Sequence, residues 1–369
     1  MQVLVTGGAG FIGSHLVDRF LSDGFRVRVL DSLDARVHPH GRPGYLASNI
    51  EFIQGSITDK EVLLQALNGV DIISHQAAYQ DYMPDFSRFL HVNGVGTALI
   101  YELIVQHRLP VKKVIVASSQ AVYGEGQYDC PGHGFFLPRP RSQQQLAHGD
   151  WEVRCPTCGE VAQPSLLEET HNNPYNQYAV SKLTEEKTAL GLGWLHGIPT
   201  VALRYSITQG ARQSLYNQYS GVCRIFFSRA LDDLPLIVYE DGQQTRDFVH
   251  VQDVVDANML VLEQDAANFQ AFNVGSGARM TVTAYAHAVL EKLACSVNLQ
   301  ILGEYRRGDN RHSVSSIDKL GRLGWRPRRP LSVILDDFYE WIERTGGIPP
   351  QVHEAYSDMR DTGVVLVSS

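Results

Sequence analysis

Along the first third of the chain, short apolar runs suited to buried strands alternate with stretches whose apolar positions follow a helical period. The runs at 1–6, 26–31, 49–54, 70–75 and 113–118 predict strands, and the stretches at 13–21, 59–67 and 94–106 predict helices. Strands and helices alternating in this way build a parallel sheet covered on both faces. Residues 124–170 break the rhythm: they are rich in Gly, Pro and Gln, lack a sustained period, and are read as an insertion. Regular structure is predicted to resume with a helix from 176 to about 192 and a strand at 200–205. Beyond Gly210 the alternation loosens, with a short strand and a helix within 246–262, a strand at 271–274 and helices at 283–293 and 331–344. No internal repeat is visible.

The expected architecture is therefore α/β, a doubly wound parallel sheet with a smaller mixed C-terminal lobe. The large domain spans 1–205, holds the 124–170 insertion, and takes back a segment near 245–275. The lobe takes the remainder of 206–345. The tail, 346–369, is polar with a last apolar stretch, and either disorder or docking on a neighbour fits it.

Composition narrows the function classes. Of 369 residues, 44% are hydrophobic and 20% charged, as in ordinary globular proteins. The net charge of -8 argues against a nucleic-acid partner, which needs a basic face. A few local arginines can still hold a phosphate-bearing small ligand. No apolar run approaches the ~18 residues of a membrane span, and MQVLVTGGAG has no basic stretch ahead of a signal-like segment. A cytoplasmic protein is expected. Five cysteines, an odd number in a long chain, speak against a disulfide scaffold.

The first predicted strand runs into GGAGFIG, which supplies Gly7, Gly10 and Gly13. Gly7 allows the tight turn, Gly10 lets backbone approach a pyrophosphate, and Gly13 lets the next helix pack close to the sheet. The helix start adds free N–H groups and partial positive charge. A glycine pattern alone also fits a plain turn. Here it lies between a strand and a helix, with Asp31 at the end of the next strand, placed to accept from a ribose diol. The Asp31 charge would repel a 2′-phosphate, which favours NAD over NADP. The sheet is accordingly of Rossmann type.

Three further pieces carry chemistry. The strand ending in VASSQAVYG brings Ser118 and Ser119, the helix at YAVSK brings Tyr178 and Lys182, and Asn93 opens the 94–106 helix. Tyr178 and Lys182 are four apart and share a helical face. An ammonium there, with a positive nicotinamide, would lower the phenol pKa from its free value near ~10. The phenol can then take a hydroxyl proton as hydride leaves, with Ser119 hydrogen-bonded to the same oxygen. Singly, these residues read as a surface pair and a strand-end cap; their order behind a dinucleotide turn gives them meaning together.

TGGAGFIG, HQAA at 75–78, SSQAVYG, YAVSK and TRDFVHVQDV at 245–254 together resemble the extended short-chain dehydrogenase/reductase family. Within it, the chain is similar to the nucleotide-sugar epimerases and dehydratases over roughly 1–345, the insertion excepted. The resemblance implies Tyr178 as base, Lys182 as its activator and nicotinamide-ribose anchor, and Ser119 as hydroxyl partner. It adds Phe11, Ile12, Gln76, Ala77, Ala78, Asn93 and Ser118 to the cofactor-binding residues. Ser56 and Ile57 would lie near the adenine, although the family commonly has an acid at position 56; Asp59 falls at its later acid. It also implies a homodimer joined through the helices near 94–107 and 176–192.

Dehydratases and decarboxylases of the family resemble one another in carrying an acid between the catalytic hydroxyl residue and VYG. This chain has Gln120 and Ala121 there. What remains is reversible hydride transfer at one carbon, so the expected activity is 4-epimerisation of a dTDP- or UDP-hexose with NAD retained. A 4-ketoreductase or dehydrogenase with net NAD(H) turnover, and a non-catalytic NAD-binding regulator, are the rival readings. By resemblance Arg246 and Arg306 approach the substrate diphosphate and Asp309 the nucleoside, with Arg212 and Arg311 as further candidates. Ile207 stands where the family usually has an Asn that contacts the sugar nucleotide.

Within the insertion, Cys130-Pro-Gly-His133 and Cys155-Pro-Thr-Cys158 form two knuckle-like pairs near zinc-ribbon spacing. Four such ligands without a carboxylate suggest a closed, structural zinc site that folds a loop poor in core. A loop with incidental thiols and a redox CxxC are the other readings. A zinc-knuckle insertion is similar to that of bacterial sequences assigned as dTDP-L-rhamnose 4-epimerases. Because it lies between Tyr123 and Tyr178, the insertion is expected to form part of a lid or wall over the sugar. Cys223 and Cys295 read as packing, His75 as a structural histidine, and aromatics of 216–227 as pocket or core.

Overall fold

The computed structural model describes every residue except 82, 217–220, 307, 350–355, 357, 358, 362 and 369. Seven parallel strands form one sheet in the order Gln270–Val274, Thr200–Tyr205, Lys113–Ser119, Ile72–His75, Gln2–Thr6, Arg26–Asp31, Glu51–Gln54. Gln2–Thr6 is buried along its whole length, as a central strand covered on both faces must be. The strand order reverses direction beside it, so the carboxyl ends of Gln2–Thr6 and Ile72–His75 border the crevice where such sheets bind ligands. This is the Rossmann-type α/β class.

The helix predicted at 94–106 begins earlier. A turn at Phe86–Phe89 continues through a wider π-helical segment, Leu90–Val95, into Gly96–Gln106. Gly96 explains the close packing: a Cβ there would lie 2.6 Å from Ile57 Cδ1. The helix Gln177–His196 starts one residue after its cap, Asn176, whose side chain accepts from Ala179 N.

The insertion has more regular structure than its composition suggests. Tyr128–Cys130 and Gly134–Phe136 pair as a hairpin, and Gln163–Pro164 adds a third strand. A bridge between Arg154 and Val161 frames the second cysteine knuckle. Strands of two or three residues are too short to print a period-two pattern on the sequence. The ends of the insertion are pinched together: Asn173 N donates to Val122 O at 2.8 Å. Gly124 sits there with φ 59, where a Cβ would lie 2.0 Å from Asn173 O, so only glycine fits.

The smaller lobe packs Gly221–Leu231, Val282–Lys292 and Leu331–Arg344 around Phe226, Phe227, Tyr285 and Phe338. Cys223 lies in that core and Cys295 at its edge. The tail docks on its own chain: Val365–Val367 pairs antiparallel with Glu304–Arg306. Among the described residues, no helix is long and apolar enough to cross a membrane.

Candidate functional site

One cleft of about 1280 Å³ runs from the glycine turn across the carboxyl ends of the strands to the smaller lobe. Single small-ligand pockets usually measure ~300–1,000 Å³, so this volume suits a dinucleotide beside a second ligand. Gly7, Gly10, Phe11, Ile12 and Gly13 form one end. A Cβ on Gly13 would lie 2.2 Å from Gly7 O, so the turn and the helix start could not close on any larger residue. Asp31 accepts from Ala9 N and Leu33 N, each at 2.9 Å, which ties its carboxylate to the turn it faces. Ser56, Ile57, Gln76, Ala77 and Ala78 continue the wall. Two expected contributors lie elsewhere. Asn93 does not line the cleft; its amide bridges the Tyr79 backbone and Ser181 Oγ. Asp59 caps the helix Lys60–Leu67.

Ser118, Ser119, Tyr178 and Lys182 converge on the middle of the cleft. Burial raises the Tyr178 phenol above its ordinary value, while Lys182 and the hydrogen-bonded Ser119 pull it down. The net direction is up, so Lys182 without a positive nicotinamide beside it does not bring the phenol below its ordinary value. Desolvation outweighs one ammonium here, because Lys182 Nζ is itself engaged by Glu185 Oε2 at 2.6 Å.

Glu185 is a group the sequence reading missed. It is fully buried, and burial pushes its carboxyl up to about 7. Its Oε1 lies 3.9 Å from His75 Nε2. His75 bonds Thr6 Oγ1 at 2.7 Å and Thr97 Oγ1 at 2.9 Å, a structural role, and burial followed by the Lys182 charge lowers it to about 3. The two groups act oppositely on stability. Between about 3 and 6.5 the unfolded chain holds the His75 proton, so acidification destabilises. Between 4.5 and about 7 the folded chain holds the Glu185 proton, so acidification stabilises. The slopes oppose each other from pH 6.5 to 4.5. His75→Gln removes the first, and the variant is expected to gain about 1.4 kcal/mol per pH unit relative to the unmodified protein on acidification through that window. Denaturant titrations at the two ends check this; parallel slopes would refute it.

At the far end, Arg246, Arg306 and Asp309 line the cleft, whereas Arg212, expected with them, lies at the other end, where it donates to Ser14 O at 3.2 Å on the helix that follows the glycine turn. Arg212 pairs with Asp18 at 2.6 Å and lies over the Tyr45 ring. Arg246 donates to Asn310 O at 2.9 Å and Arg311 O at 3.0 Å. Arg306 Nε is 3.1 Å from Asp309 Oδ2, and its guanidinium lies over the Tyr239 ring. Arg311 is withdrawn as a ligand candidate: its side chain is fully buried and engaged by Glu152, Glu240 and Asp241. Arg224 was missed. It lines the cleft, and burial lowers its guanidinium to about 10. A lone arginine inside the apolar run GVCRIFF was the available signal. Tyr216 also lines the cleft, whereas residues 217–220 of that stretch lie outside those described.

In the insertion, the four ligand atoms of Cys130, His133, Cys155 and Cys158 lie within 4.8 Å of one another. Cys130 and Cys158 sulfurs are 3.7 Å apart, and His133 Nδ1 is 3.5 Å from Cys130 and 3.6 Å from Cys155. Tetrahedral zinc with bonds of ~2.3 Å to sulfur and ~2.0–2.1 Å to nitrogen has edges of about 3.8 and about 3.6 Å, so the donor set fits that ion.

Residues 3–144 and 155–275 match the model of the NAD dependent epimerase/dehydratase family. The chain belongs to this family. The unmatched stretch between those segments falls inside the insertion. A dTDP-L-rhamnose 4-epimerase of Burkholderia thailandensis is 31% identical over 349 residues, 92% of this chain and 94% of the relative. Among solved structures, the UDP-glucose 4-epimerase of Thermotoga maritima with UDP-glucose has a TM-score of 0.74 at 28% identity, covering 94% of this chain and 99% of that one. The UDP-glucose 4-epimerase of Thermus thermophilus in complex with NAD has a TM-score of 0.71 at 29% identity, covering 92% and 98%.

Proposed function

We propose that this chain is an NAD-dependent nucleotide-sugar 4-epimerase. The observation that carries the reading is the convergence of Ser119, Tyr178 and Lys182 on a cleft bordered by the glycine turn, with Gln120 and Ala121 where an eliminating enzyme needs an acid. A carboxyl in the same wall, Glu125, accepts from Arg311 N at 2.6 Å and pairs with Arg141 at 3.4 Å. It is engaged in structure.

Gly7, Gly10, Gly13 and Asp31 would hold NAD, which supplies a reversible hydride acceptor. Tyr178 takes the proton of the C4 hydroxyl as hydride leaves that carbon, and Ser119 steadies the same oxygen. Lys182 keeps positive charge beside the phenol. The 4-keto sugar then presents its other face, and Tyr178 returns the proton as hydride comes back. Arg246 and Arg306 take the diphosphate, since guanidinium suits bidentate phosphate binding, with Asp309 beside Arg306. The likeness to the B. thailandensis enzyme puts a dTDP-linked hexose first among substrates, ahead of a UDP-hexose.

The test is incubation of the purified protein with dTDP- and UDP-hexoses, without added cofactor, followed by NMR. The C4 epimer is expected, with no net change in NADH absorbance. Absorbance change proportional to substrate would instead establish a reductase or dehydrogenase.

Cys130, His133, Cys155 and Cys158 hold one structural zinc ion in this reading. Metal analysis of protein purified without chelators is expected to find about one zinc per chain; metal-free, fully folded protein would sink it. The exposed Leu90, Val95, Val105 and Val180 on the helical layer support a homodimer joined through these helices. A monomer by light scattering would end that part.

A further inference from the structure

The insertion reaches the phosphate end of the cleft through an ion network joined at Glu240, in which Arg141, Glu240 and Arg311 are buried and Glu152 and Asp241 are half-buried. Arg141, whose side chain is 2% exposed, pairs with Glu240 at 2.9 Å and donates to Asp309 O at 2.9 Å. Glu152 lies three residues before Cys155, and its Oε1 accepts from Arg311 Nη2 at 2.6 Å and Nε at 3.0 Å. Glu152 Oε2 is 3.3 Å from His312 Nε2. Arg311 Nη1 completes the cluster on Glu240 and Asp241, at 2.8 and 2.7 Å.

These contacts fix the loop 309–312 from its buried side. On its cleft side, the carbonyls of Asn310 and Arg311 hold the Arg246 guanidinium, and the Asp309 carboxylate holds Arg306. Each cleft cation is thus one residue away from a group that the insertion restrains. The insertion has little core with which to hold Arg141 and Glu152 in place. Its own buried cluster is Tyr128, Val153 and Ala162, with Phe136 against it. A cluster of that size cannot order a segment of this length unaided. The convergent Cys/His set can, because metal binding free energy becomes folding free energy.

We propose that the metal-held insertion is a brace for the anion end of the substrate. Arg141 and Glu152 act as positioning residues that aim Arg246 and Arg306 at a nucleoside diphosphate. This rests on the zinc reading and on the diphosphate assignment above. Metal loss then shows as weakened nucleoside diphosphate binding with NAD retained, because the glycine turn lies at the opposite end of the cleft.

The experiment compares the full-length protein as purified, the same protein stripped by chelator, and Glu152→Gln with its metal in place. Calorimetric titration with UDP and with dTDP reads affinity, cofactor content reads the NAD end, and metal content is measured on each sample. Stripping and Glu152→Gln are each expected to weaken binding roughly ten-fold. NAD content should stay unchanged in both, and in Glu152→Gln KM should rise with kcat within about two-fold. Glu152→Gln that retains zinc and full affinity overturns the brace. Protein with no zinc as purified overturns the metal reading alone, and the Glu152→Gln titration still judges the brace. Stripped protein that releases NAD together with nucleotide shows general loss of structure and counts against the local role.

Discussion

Tyr178→Phe is expected to lower turnover by roughly two to four orders of magnitude while NAD stays bound. The ring keeps its packing and only the oxygen that takes the proton is lost, so the folded protein and its cofactor content should be unchanged. The companion substitution is Lys182→Met. Lys182 pulls the Tyr178 phenol down against the upward push of burial. Turnover rises with pH as the phenol ionises, so removing the ammonium should move that rising limb to higher pH. Stopped assays across a pH series check both. A Phe variant with near-normal turnover, or a Met variant whose limb moves to lower pH, would remove Tyr178 from its role.

The second large effect concerns the frame behind the site. Arg204 and Glu186, 1% and 0% exposed, are joined at 2.7 and 2.8 Å by two parallel bonds. Ser118 Oγ donates to the same carboxylate at 2.7 Å. The pair fastens the helix bearing Tyr178 to the strands Thr200–Tyr205 and Lys113–Ser119. Glu186→Ala would leave a buried guanidinium without its carboxylate, a change that costs about 3–5 kcal/mol. Arg204 keeps its bonds to Tyr123 Oη and Glu169 O, so the lower end of that range is expected. Urea denaturation monitored by tryptophan fluorescence measures the loss; less than about 1 kcal/mol would mean the pair is not the fastening described here.

The glycine turn, Asp31 and the Ser119–Tyr178–Lys182 set were legible because each depends on local spacing. Strand and helix period place them, and the chemistry follows from residue type. What escaped depends on contacts between distant segments. Nothing near Glu185 in the sequence says that it meets His75, 110 positions away, in the core. Arg311 looked like a free cation because its three carboxylates come from 152, 240 and 241. Asn93 has the right residue type at the right place, yet the π-helical turn directs its amide to Tyr79 and Ser181. The insertion was read as irregular because strands of two or three residues carry no period, although its cysteine spacing already marked the points that converge.

The carboxy-terminal strand has a practical bearing on how the protein is handled. Val365 is the backbone partner of Arg306, so a fusion partner attached behind Val367 would load the ribbon that presents a cleft cation. Pulling the tail strand away would strip the Arg306 strand of its backbone partner and loosen the guanidinium it presents. Met1 is exposed and precedes Gln2 at the strand edge facing away from the cleft. A purification handle belongs there, and activity values from the two tag placements should differ.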